Sequence, residues 1–182
     1  MTDKPWKLYV YDKSSDIDRD QADGRFDGAT DVLTFGIEKG VSELYDVLGN
    51  LVDMGWTFDR ALFQTHGTPG GILFGGHMFG ALSMKAHCAP FAKLFPGPAR
   101  IYFDGCNVAE GGDGTDFLIA AGETLLNLAG GLTIGWTTLG HGMPGWMPFI
   151  GGHTLHFGDD DTIKAIRFQP GGEPDFAHSW TP

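Results

Sequence analysis

Short apolar runs, each stopped by glycine or another turn residue, alternate along this chain with helical patterns. That alternation restricts the fold more than any other feature. Trp6–Tyr11 (WKLYVY), Val32–Ile37 (VLTFGI), Arg60–Thr65 (RALFQT), Ala99–Phe103 (ARIYF) and Leu132–Thr138 (LTIGWTT) are rich in strand formers. In Val41–Gly55, by contrast, Leu44, Val47, Leu48, Leu51 and Val52 fall on one helix face, and Gly55 is placed to stop the helix. After Thr115, read as an N-cap, Phe117, Ala120, Ala121, Thr124, Leu125 and Leu128 repeat that spacing up to Gly130-Gly131. Phe79–Phe95 reads as a further helix with Leu82, Ala86, Ala89 and Leu94 inward, interrupted at Pro90. Strands separated by helices predict an α/β protein, a mostly parallel central sheet flanked by helices.

The remaining segments read as connections. Asp12–Thr30 is polar and acidic, Pro69-Gly70-Gly71 turns Ile72–Phe74 back as a hairpin, and Glu110–Gly114 is a glycine-rich loop. Residues 139–152 form a loop whose apolar stretch Trp146–Phe149 is expected to cover the sheet, the alternative being that it flanks a substrate groove. His153–Phe157 and Thr162–Phe168, joined by Gly158–Asp161, read as a C-terminal β-hairpin, and the last dozen residues as irregular. At 182 residues with no linker, a single domain over 1–182 is expected.

Composition narrows the function. A net charge of −11 with no basic stripe in the sequence argues against nucleic acid and against an anionic membrane surface as partners. The start, MTDKPWKLYVYD, has no apolar signal segment, and no run approaches the roughly 20 apolar residues that span a bilayer. A cytoplasmic protein, or a fragment of a larger one, is the expectation. Two cysteines, Cys88 and Cys106, do not make a disulfide framework, although one bridge between them is compatible with the sequence. Cys88 lies in a helical pattern and is expected to pack. His77, His87, His141, His153, His156 and His178 show no tight ligand spacing, so no metal is expected. Asp159–Asp161 lacks the rest of a calcium loop, and the Gly-Asp-Gly-Thr-Asp stretch lacks the lysine of a phosphate-binding loop. No cofactor is expected.

Two strand ends carry chemistry. Arg60–Thr65 is followed by His66-Gly67, and Ala99–Phe103 by Asp104-Gly105-Cys106. In parallel sheets functional residues gather at the carboxyl ends of strands. Neighbouring strands lie about 4.8 Å apart, so side chains just past their ends can meet. The 40 residues from His66 to Cys106 leave room for one hairpin and one crossover helix. A cysteine attacks as its thiolate, and a histidine within hydrogen-bond reach activates it. Taken singly, Cys106 reads as a small buried residue, His66 as a turn residue and Asp104 as a loop cap. Their joint placement on one edge is what points to catalysis.

The blocks ALFQTHG (Ala61–Gly67) and IYFDGCNVAEG (Ile101–Gly111) together resemble the caspase-like cysteine peptidases, metacaspases and clostripain among them. The run from 58 to 138 also resembles an uncharacterised bacterial caspase-like domain of large surface proteins. The resemblance implies a caspase-like three-layer sandwich, with His66 as base and Cys106 as nucleophile. It implies an oxyanion hole from the backbone N–H groups of Gly67 and Cys106. Asp104 would line a pocket for a substrate lysine or arginine, giving cleavage of a peptide or protein after a basic residue. Two other readings stand beside it, an inactive caspase-like scaffold module and a thiol-dependent α/β hydrolase or acyltransferase. Asn107-Val108-Ala109 departs from the His-Ser-Gly that follows the metacaspase cysteine. Nothing in the sequence addresses the oligomeric state.

Overall fold

The computed structural model describes residues 6–14, 31–138 and 163–180. In chain order its elements are β1 (Trp6–Asp12), β2 (Val32–Ile37), α1 (Val41–Asp53), β3 (Phe58–Gln64), β4 (His66–Thr68), β5 (Gly71–Phe74) and β6 (His77–Gly80). Then come α2 (Ala81–His87), a 3-10 helix (Ala89–Leu94), β7 (Ala99–Asp104), α3 (Gly111–Leu125), β8 (Gly131–Trp136), β9 (Ile163–Phe168) and β10 (Pro174–Trp180). Seven strands form one sheet in the order β10-β9-β8-β7-β3-β1-β2. The five from β2 to β8 run parallel, while β9 and β10 add antiparallel to the β8 edge. The expected α/β class holds, with a mixed and mostly parallel sheet.

The central strands read as unbroken apolar runs because both of their faces are buried. Leu8, Val10, Ala61, Phe63, Ile101 and Phe103 point to one face. Tyr9, Leu62 and Tyr102 point to the other. On the first face Phe63 stacks on Phe103 with centroids 5.6 Å apart, and Phe117 of α3 meets Phe103 edge-on at 4.7 Å. Every described helix packs on this face, through Leu44 and Leu48 of α1, Met84 of α2, Leu94 of the 3-10 helix and Leu118 of α3. Helix α1 ends as expected, with Gly55 in the left-handed region at φ +72.

Three expectations fail for physical reasons. Helix α3 begins at Gly111 rather than after Thr115, so Glu110–Gly114 is largely the first turn of a helix. Thr115 is no cap; its Oγ1 donates back to Gly111 O at 2.9 Å. Glycine is a poor helix former, but Gly114 serves close packing instead: a Cβ there would lie 2.1 Å from the carbonyl carbon of Ala109. Leu128 falls beyond the helix and is exposed.

The stretch 79–95 is also divided differently. Phe79 belongs to β6, which pairs with β5 to complete a three-stranded antiparallel sheet β4-β5-β6. Helix α2 starts only at Ala81, and Pro90 sits in the following 3-10 helix. Leu82, Ala86 and Ala89 are exposed, whereas Met84, Cys88, Phe91 and Ala92 are buried. Those four keep the i, i+4, i+7, i+8 spacing in a different phase. Finally, the C-terminal dozen is not irregular, because β10 pairs with β9. The partner expected for that hairpin, His153–Phe157, lies outside the described residues, as do Trp146–Phe149 and most of the 12–30 connection. Among the described residues no helix is long and apolar enough to cross a membrane.

Candidate active site

Strands β3 and β7 are direct parallel neighbours, and their last paired residues are Gln64 and Asp104. Thr65 N–H donates to Asp104 O at 3.1 Å, which carries the ladder one residue further. His66 and Cys106 each stand two residues beyond that final pair, so the two occupy equivalent positions on one edge. His66 is exposed and opens β4; Cys106 is half-buried. The two backbones touch behind them. A Cβ on Gly67 would lie 2.4 Å from Cys106 O and 2.8 Å from Cys106 N, and one on Gly105 would lie 2.9 Å from Gly67 Cα.

The Cys106 loop is shaped by its own short residues. Asn107 adopts φ 58, a left-handed conformation that asparagine tolerates better than most residues. Its N–H donates to Thr138 O at 2.8 Å, and Ala109 N–H donates to Trp136 O at 2.7 Å, which stitches the loop to the end of β8. Val108 and Ala109 then turn inward and are fully buried. A Cβ on Gly135 would press on both, at 2.8 and 3.1 Å. The Gly-Cys-Asn-Val-Ala block therefore leaves a cysteine at the rim and anchors its own last two residues in the core.

Asp104 points to the second face, in the row of Gln64 and Trp136. Its Oδ1 accepts from the Trp136 indole N–H at 2.9 Å. Gln64 is buried and accepts from the Tyr9 hydroxyl. The hairpin that His66 opens is pinned from below. The Thr65 hydroxyl donates to Leu73 O, and buried Asp12 accepts from Gly75 N–H at 3.4 Å and from the Ser14 hydroxyl at 2.7 Å.

Both cysteines are free thiols, so the bridge left open by the sequence does not form. Cys88 is fully buried, and burial pushes its thiol from 9.0 up to about 12. It is inert at neutral pH, as expected of a packing cysteine.

Sequence reasoning missed Lys164. It is 7% exposed, and its Nζ donates to Ala109 O at 3.0 Å, Gly111 O at 3.2 Å and Thr115 Oγ1 at 2.8 Å. Burial lowers its pKa. Three neutral acceptors match its three donors, so this lysine clamps the end of the Cys106 loop to the start of α3. Alternation in β9 does place it on the Ile166–Phe168 face, but nothing in the sequence announces the acceptors. Trp136 was legible only as a strand residue.

Comparison with known proteins finds no match: no family model, no curated protein and no solved structure aligns significantly with the chain. The fold itself defines an α/β protein with a mixed, mostly parallel seven-stranded sheet.

Proposed function

We propose that the chain is a cysteine endopeptidase in which His66 activates Cys106 and Asp104 selects a basic residue before the cleaved bond. One observation carries the reading: an imidazole-bearing and a thiol-bearing residue stand at equivalent positions past adjacent parallel strands, with their backbones in contact. In this scheme Cys106 Sγ attacks the scissile carbonyl while His66 accepts the thiol proton. The imidazolium returns that proton to the leaving amine, and water then hydrolyses the thioester to free acid and thiol. The N–H groups of Gly67 and Cys106 receive the oxyanion, whose charge exists only in the transition state. Asp104, oriented by Trp136, meets a guanidinium or ammonium group in a charge-assisted hydrogen bond.

Iodoacetamide labelling and fluorogenic peptides test this. Selectivity for Cys106 over Cys88 follows from burial alone, so the effect of His66→Ala on Cys106 decides. An activated thiol loses about 10²-fold in rate, a typical general-base contribution. An unchanged rate leaves a scaffold module. Peptides with Arg or Lys before the leaving group are expected to be cleaved in preference to Asp peptides. Asp104→Ala is expected to reduce that preference by about tenfold or more. Turnover of simple thioesters or esters without peptide cleavage would instead indicate a hydrolase or acyltransferase.

A further inference from the structure

The sheet assembles a charged row that no single segment of the chain carries. Lys7 of β1 pairs across to Arg60 of β3, Arg60 to Arg100 of β7, Arg100 to Leu132 of β8, and Leu132 to Arg167 of β9. All five stand on the second face, one row before Tyr9, Leu62, Tyr102 and Ile134. Four of the 12 Lys and Arg residues of a chain with net charge −11 thus share one row. Like charges directly opposite each other on neighbouring strands oppose folding, so the Lys7–Arg60–Arg100 part of the row calls for counter-charge, while Arg167 stands across from Leu132 and from Asp175 of β10. Lys7 has it, with Nζ 3.0 Å from Asp31 Oδ1. Arg100 and Arg167 are exposed, and neither forms an ion pair among the described residues.

These two arginines flank a cleft of about 800 Å³ over Leu132, walled by Pro98 and Pro170. Asp175, engaged by His178 Nδ1 at 2.8 Å, borders it beside Arg167. That volume falls in the range of small-molecule sites, roughly 300–1,000 Å³. Two strand spacings, about 9.6 Å, separate the arginine backbones. Their guanidinium forks can therefore converge on one ligand from either side of Leu132, each pairing with an anionic group through two parallel N–H donors. The cleft lies where β7 and β8 begin, at the opposite edge of the sheet from His66 and Cys106.

We propose that this cleft is a binding site for a small ligand carrying two anionic groups, one held by Arg100 and one by Arg167. Calorimetric titration of the full chain at low ionic strength tests it, with pyrophosphate and succinate as probes for phosphoryl and carboxyl ligands. Saturable binding of either is expected, and the tighter probe identifies the ligand chemistry. Arg100→Gln and Arg167→Gln, both at exposed positions, are each expected to weaken binding about tenfold or more. Lys93→Gln, which removes an exposed charge on the 3-10 helix, is expected to leave it unchanged. Absence of saturable binding by both probes overturns the proposal. So does a loss in Lys93→Gln equal to that in the arginine variants, because attraction would then be non-specific. Peptidase activity plays no part in the readout.

Discussion

Gly67 is the tightest single constraint at the candidate rim. A glycine beside a reacting thiol leaves room, in general, for a substrate backbone to approach. The structure uses the same space for the backbone of Gly105 and Cys106, where a Cβ would meet Gly105 C, Cys106 N and Cys106 O at 2.4 to 2.8 Å. Backbone cannot yield as a flexible side chain does. Gly67→Ala is therefore expected to cost about 1–3 kcal/mol, the usual range for overpacking, and to slow Cys106 labelling as the rim shifts. Gly97→Ala, where nothing lies within 4 Å, is expected to leave both unchanged. Urea midpoints of the two variants decide, and equal values would mean that the two strand ends do not touch. The residue types of the site were legible because glycine, histidine and cysteine after apolar runs are conspicuous. The partner of Gly67 was not, since it lies almost 40 residues away along the chain.

Between elements, the Lys164 clamp decides how β9, α3 and the Cys106 loop fit together. Its ammonium faces carbonyls at the very start of a helix, where a cation is disfavoured by the helix dipole. Direct hydrogen bonds to three acceptors offset that cost. Lys164→Met keeps the length of the side chain but strips Ala109 O and Gly111 O of a donor. It is expected to lower stability by about 1–3 kcal/mol in chemical denaturation. Local hydrogen exchange is expected to rise first in 107–115. Protection unchanged there would show that the loop is held by its β8 contacts alone. Element boundaries were legible where propensity and packing agree, as at α1 and Gly55. They were misread where packing overrode propensity, as at Gly114 in the first turn of α3. The α2 region was misread in phase, because β6 pairing takes up Phe79 and delays the helix.

For the molecule as a whole, net charge competes with its local distribution. A chain at −11 repels itself in the folded state, and salt screens that repulsion. Raising sodium chloride from about 10 to about 150 mM shortens the screening length from about 30 to about 8 Å. The melting temperature is expected to rise by about 2–4 °C, equivalent to about 1 kcal/mol in a protein of this size. Exposed pairs such as Lys13–Glu38 and Lys85–Glu123 weaken with salt but contribute little. A fall in melting temperature would mean that attractive pairs outweigh the net repulsion. The acidic total hid the basic row on the second face, whose members come from four strands far apart in sequence.

Local chemistry determined the α/β class, the order of the parallel core strands along the chain, and the choice of His66, Gly67, Asp104 and Cys106 as the residues to watch. Hydrophobic period, β-branched runs and turn residues act within a few positions, so a linear chain displays them. Tertiary structure alone decided which strand lies beside which, what fills the space at Gly67, where Lys164 finds its acceptors, and that Arg100 and Arg167 flank one cleft. Those outcomes depend on strand register, which brings together residues that have no local relation until the sheet forms.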